Sequence, residues 1–152
     1  MGRLVVSPEV YSAIRSHGEQ TYPNECCGIM LGKTVGEDDL EVWMLIKAGN
    51  TRTDSAHNRY HIAPQELIAA QREGRKNGLD ILGFYHSHPD HPAMWSKTDF
   101  AEAHWFGCAY VITAVDGDKK TGRATITNSF LLTGTNEEDK AFVPQEIWIE
   151  AD

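Results

Sequence analysis

The chain has 152 residues, 41% of them hydrophobic and 24% charged, the make-up of one ordinary globular domain. Fourteen Lys and Arg stand against 22 Asp and Glu, for a net charge of −8. That balance excludes the positive footprint of a nucleic-acid binder and disfavours an anionic membrane surface.

No stretch approaches the roughly 18 consecutive apolar residues of a membrane span. Met1 to Ser7 carries no long apolar region and no small-residue cleavage site, so the expected compartment is the cytoplasm. Cys26, Cys27 and Cys108 are odd in number and two are adjacent, a poor disulfide framework that fits a reducing compartment.

In chain order, Leu4-Val5-Val6 reads as a short strand. Ser7-Pro8 predicts a helix start, with Ser as N-cap and Pro in the first turn. Val10, Tyr11, Ile14 and His17-Gly18 form its stripe, which stops near Tyr22-Pro23. Cys27 to Leu31 is a short apolar strand ending at Gly32, and Glu37-Asp38-Asp39 is a charged turn. Glu41 to Ala48 is a further strand, Asn50 to Asn58 is irregular, and Arg59 to Ile62 is a short strand candidate. Pro64 opens a helix with an apolar face at Leu67, Ile68 and Ala70-Gln71, ending at Asn77-Gly78.

Leu79 to Tyr85 is apolar on both faces, as a central strand requires. A loop from Pro89 to Trp95 and a helix from Lys97 to about Trp105 follow. Cys108 to Val115 is another buried strand, and Asp116-Gly117-Asp118 is a turn. Arg123 to Leu132 alternates as an antiparallel neighbour, and Ile147-Trp148-Ile149 reads as an edge strand. These elements predict a single α/β domain over residues 1–152, with a mixed central sheet flanked by helices.

The informative segment is Phe84-Tyr85-His86-Ser87-His88-Pro89. His86 and His88 are two apart at a strand end, so both rings face one side, about 6.5–7 Å apart along the backbone. Neutral imidazoles so placed suit zinc, copper, iron or nickel. Open sheets place their sites at such strand ends. A bare His-x-His also occurs where two histidines simply face solvent.

Asp90 and Asp99 are the nearest acidic candidates, and Asp90 reads as a turn residue. Ser96-Lys97-Thr98-Asp99 has the form of a helix capping box. A first-turn carboxylate can cap and still project toward a strand end. Two histidines and one carboxylate would leave a fourth zinc position open, the mark of a catalytic site. Glu25, just before the buried strand, is the best candidate for a base.

Together, Glu25, His86-Ser87-His88-Pro89, six further residues, and Ser96-x-x-Asp99 resemble the signature of the JAMM (MPN-plus) metalloproteases. Glu25-Cys26-Cys27-Gly28-Ile29-Met30-Leu31-Gly32, Arg59-Tyr60, Gly78 to Tyr85 and Asp90-His91-Pro92-Ala93 extend the likeness to small bacterial members. Met94-Trp95 departs from it, since such relatives often carry a proline before the serine.

The resemblance implies a cytidine-deaminase-like α/β fold and a zinc ion on His86, His88 and Asp99. It implies Glu25 as general acid/base and Ser96 as donor to the oxyanion. It also implies a substrate class: ubiquitin-fold sulfur-carrier proteins, cut beyond a C-terminal Gly-Gly. Other readings are a non-catalytic binding scaffold of the same superfamily and an isopeptidase acting on another ubiquitin-fold conjugate. A zinc deaminase would need Pro-Cys-x-x-Cys, which the chain lacks. Monomer and homodimer both stay open. His91 and Trp95 lie in the loop beside the motif. His104 is read as a helix-surface residue, and His17, His57 and His61 as isolated.

Overall fold

The computed structural model describes residues 2–50 and 61–151. Leu4–Val6 forms β1, and Ser7 then caps α1, Pro8–Thr21, by accepting the Val10 N–H. Pro8 fits the first turn, where its missing N–H has no helical partner to lose. Strands β2 (Cys27–Val35) and β3 (Asp39–Ala48) form a hairpin, its turn helped by Gly36 at φ +61°. The β2 strand runs past Gly32, because hairpin pairing with β3 continues to Val35. Arg59 and Tyr60 lie outside the described residues, as does His57, and His61 and Ile62 are not in a strand.

Helix α2, Pro64–Lys76, ends at Asn77, with Gly78 at φ +67° in the left-handed conformation that suits glycine. Its inner face is Leu67, Ala70 and Gly74, not the expected Ile68, which is 49% exposed. Gly74 lets the helix approach the carbonyl of Leu79, so the buried stripe rotates away from Ile68.

The remaining elements are β4 (Asp80–Pro89), α3 (Lys97–Glu102), β5 (Ala109–Asp116), β6 (Arg123–Thr133), β7 (Ala141–Gln145) and β8 (Ile147–Ile149). Helix α3 stops three residues short of Trp105, because Ala103 is extended and its N–H closes on Phe100 O. That places His104 beyond the helix. Strand β7 contains Pro144 and has no strong alternation, so the sequence alone did not reveal it.

The described strands form one mixed sheet in the order β7-β6-β5-β4-β2-β3-β1-β8. Strand β4 is antiparallel to β2 and parallel to β5. The α1 side buries Ile14, Met30, Leu82, Tyr85 and Val111. The opposite side buries Ile29, Leu31, Phe84 and Tyr110 under α2 and the segment after α3. This is a single α/β domain with a mixed sheet flanked by helices. Among the described residues no helix is long and apolar enough to cross a membrane. The three cysteines are buried and free.

Candidate metal centre

Strand β4 is central, and its residues from Leu82 to Pro89 are all buried. Alternation sends Phe84, His86 and His88 to the face that carries α2 and α3. Strand β2 supplies the next residue. Its register pairs Cys27 with His86, and the Cys26 N–H donates to Ser87 Oγ. Carrying that antiparallel register two residues further sets Glu25 beside His88 on the same face.

The loop after β4 returns a carboxylate to the histidines. Asp90 sits at φ +57° and holds the turn by accepting from Tyr22 Oη and from the N–H groups of Gly117 and Asp118. It is a turn residue, as expected. Asn128 Nδ2 donates to Ala93 O and fixes the middle of the loop. Ser96 then caps α3. Its hydroxyl accepts the Asp99 N–H, and the Ser96 N–H donates to Asp99 Oδ2. The capping box is real, and it does not compete with a site. It orients the carboxylate whose two oxygens also face the histidines.

Donor atoms of three residues converge, with one histidine against each oxygen of Asp99. His86 Nε2 and His88 Nε2 are 3.2 Å apart, His88 Nε2 lies 3.0 Å from Asp99 Oδ2, and His86 Nε2 lies 3.3 Å from Asp99 Oδ1. Edges of about 3.3 Å are what a tetrahedral zinc with bonds of about 2.0–2.1 Å requires. His88 Nδ1 is 2.8 Å from Pro92 O, which can only accept, so Nδ1 carries the proton. His88 Nε2 therefore faces a carboxylate and a second imidazole nitrogen. Electron-rich atoms so arranged need a shared proton or a cation between them. The Pro92 carbonyl is the kind of outer partner that orients a metal-ligating histidine.

The charges agree. Burial would raise the Asp99 carboxyl, but the two histidines and the Ser96 N–H hold it far below the usual carboxylate range. Burial lowers His86 and outweighs the pull of Asp99. Burial also opposes the charged form of His88, but the Asp99 hydrogen bond and charge raise it. Glu25 is only 4% exposed, and its Oε1 has no hydrogen-bond partner among the described residues. Burial pushes its carboxyl up to about 8, with His88 working against that rise and Asp99 and Glu102 adding to it. A buried carboxyl whose Oε1 lacks a hydrogen-bond partner among the described residues, facing a three-residue cluster, fits a water or amine held there with a cation. The donor set suits zinc, and it leaves a fourth position for water or substrate.

All five residues singled out from the sequence thus lie together. Glu25, His86, His88 and Asp99 face one another, and Ser96 stands at the start of the helix that carries Asp99. A cavity of about 430 Å³ lies on the same side of the sheet, lined by Ile62, Leu67, Phe84, Glu102 and Trp105, so that β4 and α3 each contribute to both cavity and cluster. Trp95 rests against Phe100 and Phe142 at ring separations of 5.4 and 5.6 Å. His91 is exposed. His104 faces Glu137 beyond the helix end. His17 is not isolated: it is buried on the other side of the sheet, with Nδ1 2.8 Å from Tyr85 Oη. Sequence reasoning missed Pro92 and Asn128 as supports of the site, because neither carries a ligand atom or a recognisable spacing.

An α/β domain with a His-x-His strand end, a helix-borne Asp and a buried Glu brings together a donor set that could hold a cation beside a candidate acid/base. The model of the family "Prokaryotic homologs of the JAB domain" matches residues 7–129, and the chain belongs to that family. This JAB/MPN membership agrees with the resemblance read from the motif. The chain is 30% identical over 121 residues to a protein of Haloferax volcanii named desampylase, covering 76% of this chain and 83% of that one. It is 34% identical over 114 residues to a Thermus thermophilus protein named as a probable TtuB-protein conjugate cleaving protease, covering 75% and 72%. The solution structure of a Salinibacter ruber protein matches with a TM-score of 0.71 and 33% identity over 99% of this chain and 92% of that one.

Proposed function

We propose that this protein is a zinc-dependent isopeptidase that hydrolyses the amide bond after the C-terminal Gly-Gly of a ubiquitin-fold protein, with a sulfur-carrier protein as the preferred substrate. The observation that carries this reading is the His86–His88–Asp99 triangle with the buried Glu25 carboxyl beside it. The names of the Haloferax and Thermus relatives support conjugate cleavage as the reaction class. Residues 1–152 work as one domain, in the cytoplasm.

His86, His88 and Asp99 hold the zinc. When bound, zinc polarises the scissile carbonyl and makes water a usable nucleophile near neutral pH. Glu25 does the proton work. Its carboxylate accepts a proton from the attacking water and passes it to the leaving amine. The Glu25 carboxylate takes the proton in the first step, and the carboxylic acid so formed is the donor for the second. The Ser96 hydroxyl accepts the Asp99 N–H and keeps its own proton to donate to the oxygen where negative charge develops. The cavity beside Phe84 and Glu102 receives the substrate segment before the scissile bond. Glycines at the cut suit a site whose ligands and base are packed this closely.

Incubation of the zinc-loaded protein with a sulfur-carrier protein extended beyond Gly-Gly, read by mass spectrometry, tests the proposal. Release of the extension with a Gly-Gly product supports it. Cleavage only of a different ubiquitin-fold conjugate would move the substrate assignment. No cleavage of either, with zinc bound, would mean a binding scaffold.

A further inference from the structure

Helix α3 is short and depends on its surroundings, with Phe100 packed on Trp95 and Phe142. It has six residues, none of them buried, and isolated helices need about 12–15 residues to hold even marginally. Yet it carries Asp99, which must meet two histidines to within a few tenths of an ångström. Its N-terminus is held by the Ser96 capping box. Its C-terminus is held by a residue from the far edge of the sheet.

That residue is Lys140, which precedes the edge strand β7. Its side chain is 2% exposed. The ammonium donates to Phe100 O at 2.8 Å and Ala103 O at 3.2 Å, the last carbonyls of α3. It also meets Glu137 Oε2 at 2.9 Å, so its three N–H groups have three acceptors. The same nitrogen stands 4.6 Å from the centre of the Phe100 ring. A cation at a helix C-terminus complements the partial negative charge of the last carbonyls. The turn that delivers Lys140 is itself fixed: the Asp139 carboxylate accepts from the Thr135 and Asn136 N–H groups and from the Thr135 hydroxyl. A buried lysine is costly unless fully partnered, and here every partner belongs to the ligand-bearing helix or to the turn that presents it.

We infer that Lys140 is a positioning residue for Asp99: by pinning the C-terminal carbonyls of α3 it fixes the carboxylate against His86 and His88, and metal affinity depends on it. This rests on the reading of Asp99 as a ligand. The interaction runs from the second edge of the sheet to its centre and involves no ligand atom, so it is separable from coordination itself.

The test compares wild type with Lys140→Met, Lys140→Arg, Glu137→Gln and Asp99→Ala. Zinc affinity is read by competition with a chromogenic chelator, and ligand geometry by the visible spectrum of the cobalt(II)-loaded protein, both well below each variant's melting temperature. Lys140→Met keeps the apolar stem and removes the donors. It is expected to weaken zinc binding by about 10–100-fold and to change the cobalt spectrum. Lys140→Arg restores donors to the carbonyls and is expected to recover most of both. Wild-type affinity and spectrum in Lys140→Met, even with a lower melting temperature, would overturn the inference and leave a purely structural lysine. If Lys140→Met does not fold, Glu137→Gln decides. Glu137 is mostly exposed, and its loss loosens the ammonium, so measurably weaker zinc binding is expected and unchanged binding overturns the inference. Zinc retained by Asp99→Ala would instead overturn the ligand assignment on which it rests.

Discussion

His88 Nε2 lies 3.0 Å from Asp99 Oδ2, across 11 residues that leave a strand, turn through a loop and begin a helix. The same oxygen accepts the Ser96 N–H at 2.9 Å. One carboxylate therefore caps the start of α3 and faces the histidines at once, so the helix cap and the candidate site share their geometry.

Ser96→Ala removes the hydroxyl from both roles. Stability is expected to fall by about 1 kcal/mol, as for other N-cap losses. The turnover number is expected to fall by about 10²–10³, as for loss of an oxyanion donor. Ser96→Asp restores a capping acceptor without a hydroxyl proton, so it should recover melting temperature and not rate. Recovery of both in Ser96→Asp would reduce Ser96 to a cap.

Removal of ligands should remove metal. Wild type is expected to carry about one zinc per chain, with His88→Ala and Asp99→Asn nearly metal-free by elemental analysis. Asn at position 99 keeps an oxygen for the Ser96 N–H, so Asp99→Asn should melt close to metal-free wild type. Equal zinc in wild type and His88→Ala would refute the ligand set.

Glu25→Gln should retain zinc and lose activity by about 10²–10⁴-fold, the usual share of a general acid/base. It also has a stability signature in the metal-free protein. Burial raises the folded Glu25 carboxyl to about 8 from 4.5, so the folded state holds the proton more tightly than the unfolded chain. Its contribution is complete below pH 4.5 and is lost as pH rises through about 8. Urea titration should thus find Glu25→Gln more stable than wild type at high pH, by on the order of 5 kcal/mol, and little different at low pH. A pH-independent difference would contradict the burial argument.

His17 makes the opposite prediction. Burial, with help from the charge of Lys47, lowers its pKa below 6.5, so the folded state resists the proton that the unfolded chain accepts. The His17 contribution is intact above 6.5 and falls as pH drops below it. His17→Gln should flatten the fall in stability on acidification through that range. An unaltered slope would mean that other groups carry it.

Gly28→Ala should destabilise the sheet. An added Cβ there would fall on the Tyr85 ring, which is buried and held by His17, and neither can withdraw. A cost of about 1–3 kcal/mol is expected from thermal melts. A neutral Gly28→Ala would show that the ring can move.

Much of the site was legible in the sequence because it is local. A strand period sends His86 and His88 to one face, and a Ser-x-x-Asp cap sets Asp99 in a first turn, whatever the rest of the chain does. The main strands follow from runs such as Leu79 to Tyr85, whose apolar residues on both faces already state a buried strand. Long-range relationships were not legible. The register Cys27 to His86 decides that Glu25 faces His88. The approach of Gly74 to Leu79 decides that Ile68 stays outside. The stop of α3 before Trp105 and the seat of Lys140 depend on a turn some 40 residues away. Sequence fixes what a few neighbouring residues can do with their own backbone. Only the folded sheet decides which distant side chains share a face, because that depends on pairing free energies summed over the whole chain.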